Sequence, residues 1–385
     1  MEQRRLYLIY STFYFAYFAA LGIFAPYFPL YLKSLGFSGP GIAILLALGP
    51  VSRFLFPALW GLWADRAGHR KLLVVLTSCG ACGAFSLLYW AQSFWTVALV
   101  LFLYGFLLAP SIPLVEGMVQ EETDRRRFAY GPVRLWGSLG FIASTLFYGR
   151  LLDRQPVETI LVGILLFSLL TLFPAAALPS GRDRAPLTRR SLRSELMRSE
   201  TLRFLGATTL MQASHGAYYA YFSLHLDRHG YSRSAIGAYW TLAVAAEIGM
   251  MLLSSRLLEA TGPTRLISVS LGVAALRWLL LMAGVDPYLL AFGQILHAFS
   301  FGLFHVCAVH ATHRLFPEAL RSSGQSLYSS LTYGLGNLVG FFGCAALVDV
   351  LGVRGLFGLS SALALSALLI SLTLPRDLSH GDLRG

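Results

Sequence analysis

The chain is short of charge. Asp, Glu, Lys and Arg make up 13% of its 385 residues, about half the roughly 25% found in soluble domains. That excludes a pair of ordinary soluble domains. The 56% of hydrophobic residues and a mean hydropathy of +0.63 point instead to repeated crossings of a bilayer. Cysteine is scarce too, limited to Cys79, Cys82, Cys307 and Cys344. Cys79 and Cys82 make a C-x-x-C spacing inside an apolar run without metal partners beside it, so they read as small packing residues and no metal is expected. Acidic residues number 19 against 30 basic ones, a formal charge of +11 with a pI near 9.7. The basic residues fall in short clusters between apolar runs, not on one continuous face, and this excludes a nucleic-acid partner. No nucleophile–base pair is visible. An enzyme is not expected, and neither is a cofactor.

What the chain does have is long apolar runs. Stretches of about 20 apolar residues fall at 6–32, 41–63, 71–91, 94–119, 130–152 and 157–178, then at 204–226, 234–257, 265–284, 288–314, 322–348 and 354–374. They predict an all-α polytopic membrane protein with twelve transmembrane helices. The N-terminal half is 1–178, the linker 179–203 is rich in Arg and Ser, and the C-terminal half is 204–385. The first run is too long for a signal-peptide core and ends without a small-residue cleavage site, so it is expected to be a spanning helix. Lys and Arg concentrate at the N-terminus, in the even-numbered connections and in the tail; the odd-numbered connections hold only Lys33, Arg150, Arg154, Arg228, Arg233 and Arg354. Both termini are therefore expected on the cytoplasmic side.

The halves repeat. Tyr27-Phe28-Pro29-Leu30-Tyr31-Leu32-Lys33-Ser34-Leu35-Gly36-Phe37-Ser38 matches Tyr221-Phe222-Ser223-Leu224-His225-Leu226-Asp227-Arg228-His229-Gly230-Tyr231-Ser232. At the same offset Asp65 falls on Glu259, Gly68 on Gly262 and Lys71 on Arg265. Two pseudo-symmetric six-helix bundles joined by a polar linker form an architecture in which the repeats rock around a central site.

The connection Gly61-Leu62-Trp63-Ala64-Asp65-Arg66-Ala67-Gly68-His69-Arg70-Lys71 resembles the signature loop of the major facilitator superfamily, which reads roughly G-x-x-x-D-R-x-G-R-K. His69 intrudes by one residue. Gly61, Asp65, Arg66, Gly68, Arg70 and Lys71 are the candidate residues of this conformational-switch loop. The resemblance implies the major facilitator fold.

Five charges stand out deep inside the apolar runs, where each costs about 2.5–3.5 kcal/mol on insertion scales and so calls for a partner or a wet cavity. Glu116 and Arg134 are each nine residues from Arg125, and Glu247 and Arg277 are each fifteen from Gly262. Each pair should therefore lie level in its hairpin, either as a structural ion pair or as part of a site. Arg53 is the repeat equivalent of Glu247, and a snorkelling side chain there is equally open. The tenth run holds Gln294, His297, Ser300 and His305 along one side; the seventh holds Gln212, Ser214 and His215. A histidine in a cavity can exchange a proton near neutral pH. Tyr14, Tyr17 and Tyr218 stand at mid-depth and are candidate cavity residues.

Tyr130-Gly131-Pro132-Val133-Arg134-Leu135-Trp136-Gly137-Ser138-Leu139-Gly140-Phe141 and Gln212-Ala213-Ser214-His215-Gly216-Ala217-Tyr218-Tyr219 resemble segments of the 3-phenylpropionate permease group, itself related to the lactose permease. Ala246-Glu247, Arg277-Trp278 and Gln294-Ile295-Leu296-His297 match as well. The resemblance implies proton-coupled symport of a small organic solute across the cell inner membrane. Substrate contacts are then expected from Glu116, Arg134, Tyr14, Tyr17, His215, Tyr218 and Gln294, and proton coupling from Glu247, Arg277 and His297. Ser300 stands where the lactose permease carries its proton-bearing glutamate, which moves the proton role to Glu247 and His297 or removes coupling. Paired arginines suit a carboxylate. A sugar or nucleoside symporter, or a drug:proton antiporter, is the alternative. The expected partners are solute, protons and lipid, with the chain a monomer.

Overall fold

The computed structural model describes residues 2–56, 60, 63, 69–124, 128–179, 192–317 and 320–375. Among them there is no strand. The first seven helices are α1 (Glu2–Ser34), α2 (Gly39–Leu55), α3 (Arg70–Ser86), α4 (Phe94–Leu108), α5 (Ser111–Asp124), α6 (Tyr130–Leu152) and α7 (Thr159–Ala177). A short α8 (Leu192–Leu196) leads into α9 (Ser199–Ser214), α10 (Gly216–Arg228), α11 (Arg233–Thr261) and α12 (Pro263–Ala283). Then come α13 (Pro287–Ile295), α14 (Phe304–Leu315), α15 (Arg321–Ser329) and α16 (Asn337–Ser371). Ala298–Leu303 and Ser330–Gly336 are wound as π-helix.

Among the described residues these helices group into twelve crossings. Each of α4–α5, α9–α10 and α13–α14 is one broken crossing, and α16 holds the end of the eleventh and all of the twelfth, parted at Gly352 with φ 63°. Helices are the elements that satisfy every backbone polar group within lipid. Trp95, Leu252 and Phe173 are largely exposed, as a lipid-facing surface requires.

The repeat holds residue for residue at the spacing of Lys33 and Asp227, 194 positions. Gly36 and Gly230 end the first and seventh crossings at φ 83° and 81°, a left-handed geometry that favours glycine. Two residues on, Ser38 accepts from the Gly41 amide and Ser232 from the Ala235 amide, at 3.4 and 3.1 Å, so both second helices begin with the same cap. The sixth and twelfth crossings end at equivalent residues, Ala177 and Ser371. Close packing repeats as well: Gly22 lies against Phe141 and Ser144 of α6, and its equivalent Gly216 lies against Gly340 of α16.

The chain divides into two compact units, Met1–Ala185 with Ser223–Thr241, and Pro186–Phe222 with Leu242–Gly385. Segment 223–241, counted with the second half on sequence, joins the first unit through polar contacts. Asp227 takes Lys33 at 2.8 Å and Arg233 at 2.6 Å. Tyr27 donates to the Arg233 carbonyl at 3.5 Å, and the Ser234 amide donates to Asp153 at 3.2 Å. Within this unit α1 packs along α6 and α7, over a core that includes Tyr10, Phe13, Tyr14, Val115 and Val133. In the second unit α16 packs along α9 and α12.

Candidate functional site

Each unit carries one cluster of charged and aromatic side chains. In the first, Glu116 on α5 and Arg134 on α6 face each other at 3.9 Å, each about one-third exposed. The pair is loose. Tyr130 donates to Glu116 at 3.2 Å. The Arg134 guanidinium stands 4.2 Å from the centre of the Phe18 ring and 5.5 Å from that of Tyr14, a favourable placement of a cation on π faces. Tyr14 is buried and Tyr17 half-buried, its ring stacked on Phe13. A half-solvated ion pair ringed by aromatic faces leaves hydrogen-bonding capacity for a further polar group.

The second cluster is closed and tighter. Glu247 of α11 meets His297, between α13 and the π-helical stretch, with Oε1 2.7 Å from Nε2 and the side chains 16% and 6% exposed. His297 Nδ1 lies 3.4 Å from the Ser300 hydroxyl. Arg277 of α12 is fully buried. It donates to the Gly293 carbonyl at 2.8 Å, Gln294 Oε1 at 3.3 Å and Ser300 Oγ at 3.4 Å. The rings of Tyr218 and Trp278 each stand 4.4 Å from its guanidinium carbon. All of these acceptors are neutral, and no carboxylate lies within salt-bridge distance of Arg277 among the described residues. A cation in so dry a place is costly; neutral acceptors and ring faces meet it directly, and the Glu247 charge stands beyond Ser300 and His297.

The sequence spacing put Glu247 and Arg277 at one depth, and both join this cluster, yet they do not pair with each other. Counting residues fixes height along a helix and leaves open which way a side chain turns; His297 captures the carboxylate. Ser300, placed on the same side as His297 by sequence, touches both His297 and Arg277. Gln294 accepts from Tyr218 at 3.0 Å. His215 is fully buried, 4.9 Å from Trp278 and 5.9 Å from His297 between ring centres. Phe18, Tyr130 and Trp278 were not singled out from sequence; the last two sit inside quoted segments, whereas Phe18 carries no signal among 27 phenylalanines.

Of the signature loop, Gly61, Asp65, Arg66 and Gly68 lie outside the described residues. Arg70 opens α3 and reaches Glu121 at 2.6 Å; Lys71 follows in the same turn. The second-half copy keeps its glycine geometry, with Gly262 at φ 82°.

The MFS_1 like family pattern matches residues 7–359. The probable 3-phenylpropionic acid transporter of Escherichia coli (strain K12) is 30% identical over 93% of this chain and 95% of its own. The maltose permease of Geobacillus stearothermophilus is 29% identical over 85% and 84%. A crystal structure of the nucleoside transporter NupG superposes with a TM-score of 0.85 at 16% identity, covering 95% of this chain and 99% of that one. The chain belongs to the MFS_1 like family: it is a multi-pass membrane transporter of the major facilitator type and not an enzyme.

Proposed function

We propose that the chain is a proton-coupled symporter that moves a small organic anion, above all an aromatic carboxylate, by alternating access. It works as a monomer without a cofactor in the cytoplasmic membrane, both termini cytoplasmic, with the sequence halves 1–178 and 204–385 as its moving parts and the loop containing Asp65, Arg66, Arg70 and Lys71 as its switch. The orientation follows from the placing of Lys and Arg. One observation carries the coupling: a proton-sharing Glu247–His297 pair stands one serine away from a buried Arg277 that has no carboxylate of its own.

The charge arithmetic links proton to anion. With one proton between them, carboxylate and neutral imidazole sum to −1 and balance Arg277. A second proton cancels the pair and leaves Arg277 as the net charge, which favours an incoming carboxylate in a low-dielectric site. Proton and substrate then stabilise the same conformer, which is what coupling requires. Arg134, with Glu116, Tyr14 and Tyr17, offers the first unit's contact for the anion or its ring; Tyr218 and Gln294 belong to the second. The 3-phenylpropionic acid relative supports an aromatic acid as the first solute to try.

Proteoliposomes with an imposed pH gradient test this. Protein-dependent uptake of 3-phenylpropionate, accompanied by alkalinisation of the acidic side, is expected, with protein-free vesicles as baseline because protonated acid leaks through lipid. Uptake of maltose or uridine with no response to the acid would replace the carboxylate by a neutral polyhydroxylated solute. Proton efflux against solute would make it an antiporter.

A further inference from the structure

Two buried polar atoms in the second cluster have no partner among the described residues: His215 Nε2 and Gln294 Nε2. Their chemical characters are fixed by what their other ends do. His215 Nδ1 lies 2.9 Å from the Met211 carbonyl, which can only accept, so Nδ1 carries the hydrogen. In the neutral ring Nε2 is then a bare acceptor. Gln294 Oε1 accepts from both Tyr218 and Arg277, which assigns the oxygen and leaves its NH2 group as the unspent donor. One atom wants a hydrogen, the other offers one.

The two atoms occupy neighbouring rungs between the seventh and tenth crossings. Tyr218 binds Gln294 at 3.0 Å on one rung, and the rings of His215 and His297 stand 5.9 Å apart on the next. Three residues separate the rungs on either side, a rise of about 4.5 Å. A single oxygen with two hydrogen bonds of about 2.8 Å spans that distance. A buried polar atom left unpaired costs about 1–3 kcal/mol, so both atoms are strongly biased toward a group that is donor and acceptor at once.

We infer that His215 and Gln294 form a hydroxyl subsite, in which a solute hydroxyl donates to His215 Nε2 and accepts from Gln294 Nε2. The inference rests on the proposed transport role of this cluster and narrows its substrate class to hydroxylated solutes. A water molecule has the same hydrogen-bonding chemistry, and the test separates the two sources.

Purified protein is titrated with pairs of compounds differing by one hydroxyl: 3-phenylpropionate against 3-(3-hydroxyphenyl)propionate, and 2′-deoxyuridine against uridine. Trp278 fluorescence, beside His215, reports binding, and calorimetry confirms it. The hydroxylated member of at least one pair is expected to bind roughly tenfold or more tightly, because a site built to bond a hydroxyl rejects its analogue. His215→Phe and Gln294→Met should each erase that preference, read as the ratio of the two affinities within a pair falling to about one. Equal binding within both pairs means the position takes water only and overturns the subsite, leaving the carboxylate reading intact. A hydroxyl preference among nucleosides with no response to either acid supports the subsite and overturns the carboxylate. A preference that survives both substitutions, or no binding in either pair, also overturns the subsite.

Discussion

Replacing Glu247 by Gln removes the exchangeable proton and, with it, the negative charge that balances Arg277. The amide oxygen can still accept from His297 Nε2 across the present 2.7 Å contact, and the side-chain volume is nearly unchanged. What is lost is the charge: a hydrogen bond to a charged group is worth about 1.5–3 kcal/mol and a neutral one about 0.5–1.5, so this contact alone should weaken by about 1 kcal/mol. The functional effect should be far larger in kind. One pH unit corresponds to 1.36 kcal/mol, or about tenfold, which a one-to-one symporter can convert into a tenfold protein-dependent concentration of solute inside vesicles. The Gln variant should bring labelled 3-phenylpropionate only to the baseline of protein-free vesicles while still exchanging internal for external solute when no gradient is applied. Exchange shows that the variant folds, binds and changes sides; the missing accumulation isolates the proton. Accumulation that persists at about tenfold per pH unit in the variant would refute the assignment, and the protons would then have to ride elsewhere.

Three further outcomes follow from the geometry. Arg134→Lys keeps the charge but loses the planar fork and its stacking on Phe18, so uptake should fall at least tenfold with expression unchanged; an unaltered rate would mean that the arginine only holds its hairpin together. Gly22→Ala drives a Cβ into the Phe141 carbonyl and the Ser144 hydroxyl, and overpacking of this kind costs about 1–3 kcal/mol, visible as a lower Tm in detergent; a Tm equal to the parent's would show that α1 and α6 have slack. Asp153, just past the end of α6, is pushed up by burial, but hydrogen bonds from Ser234 and the Arg233 amide, with the Arg233 charge, outweigh this and hold its carboxyl below the ordinary 3.8. A depressed carboxyl contributes stability above its unfolded value and loses it as the pH falls through its folded value. The Tm gap between parent and Asp153→Asn should therefore be constant from pH 5 to 7 and close below about pH 3.8; a gap that ignores pH would remove the ionised carboxylate from the account.

Much of the fold was legible because lipid imposes a coarse rule that the residue pattern obeys, and because the halves share an ancestor. The Gly36 and Gly230 turns, the Ser38 and Ser232 caps and the common ends at Ala177 and Ser371 all lie at the offset set by one twelve-residue match. Depth within the bilayer was legible too, since counting outward from Arg125 and Gly262 brought Glu116 opposite Arg134 and drew Glu247 and Arg277 into one cluster. Direction was not. A helix fixes height by residue number, but the partner of a buried charge depends on which faces meet, and the wide turns at Ala298–Leu303 and Ser330–Gly336 rotate those faces by an amount no periodicity announces. Such turns concentrate at functional sites. Here the first directly follows His297 and contains Ser300, and the second carries Tyr333, whose hydroxyl meets His305 at 2.7 Å. The pairing of Glu247 with His297, with Arg277 left to neutral acceptors, thus sits at the edge of that local rewinding. On the proposed mechanism that pairing turns a buried cation from a structural burden into an anion trap whose strength one proton can change.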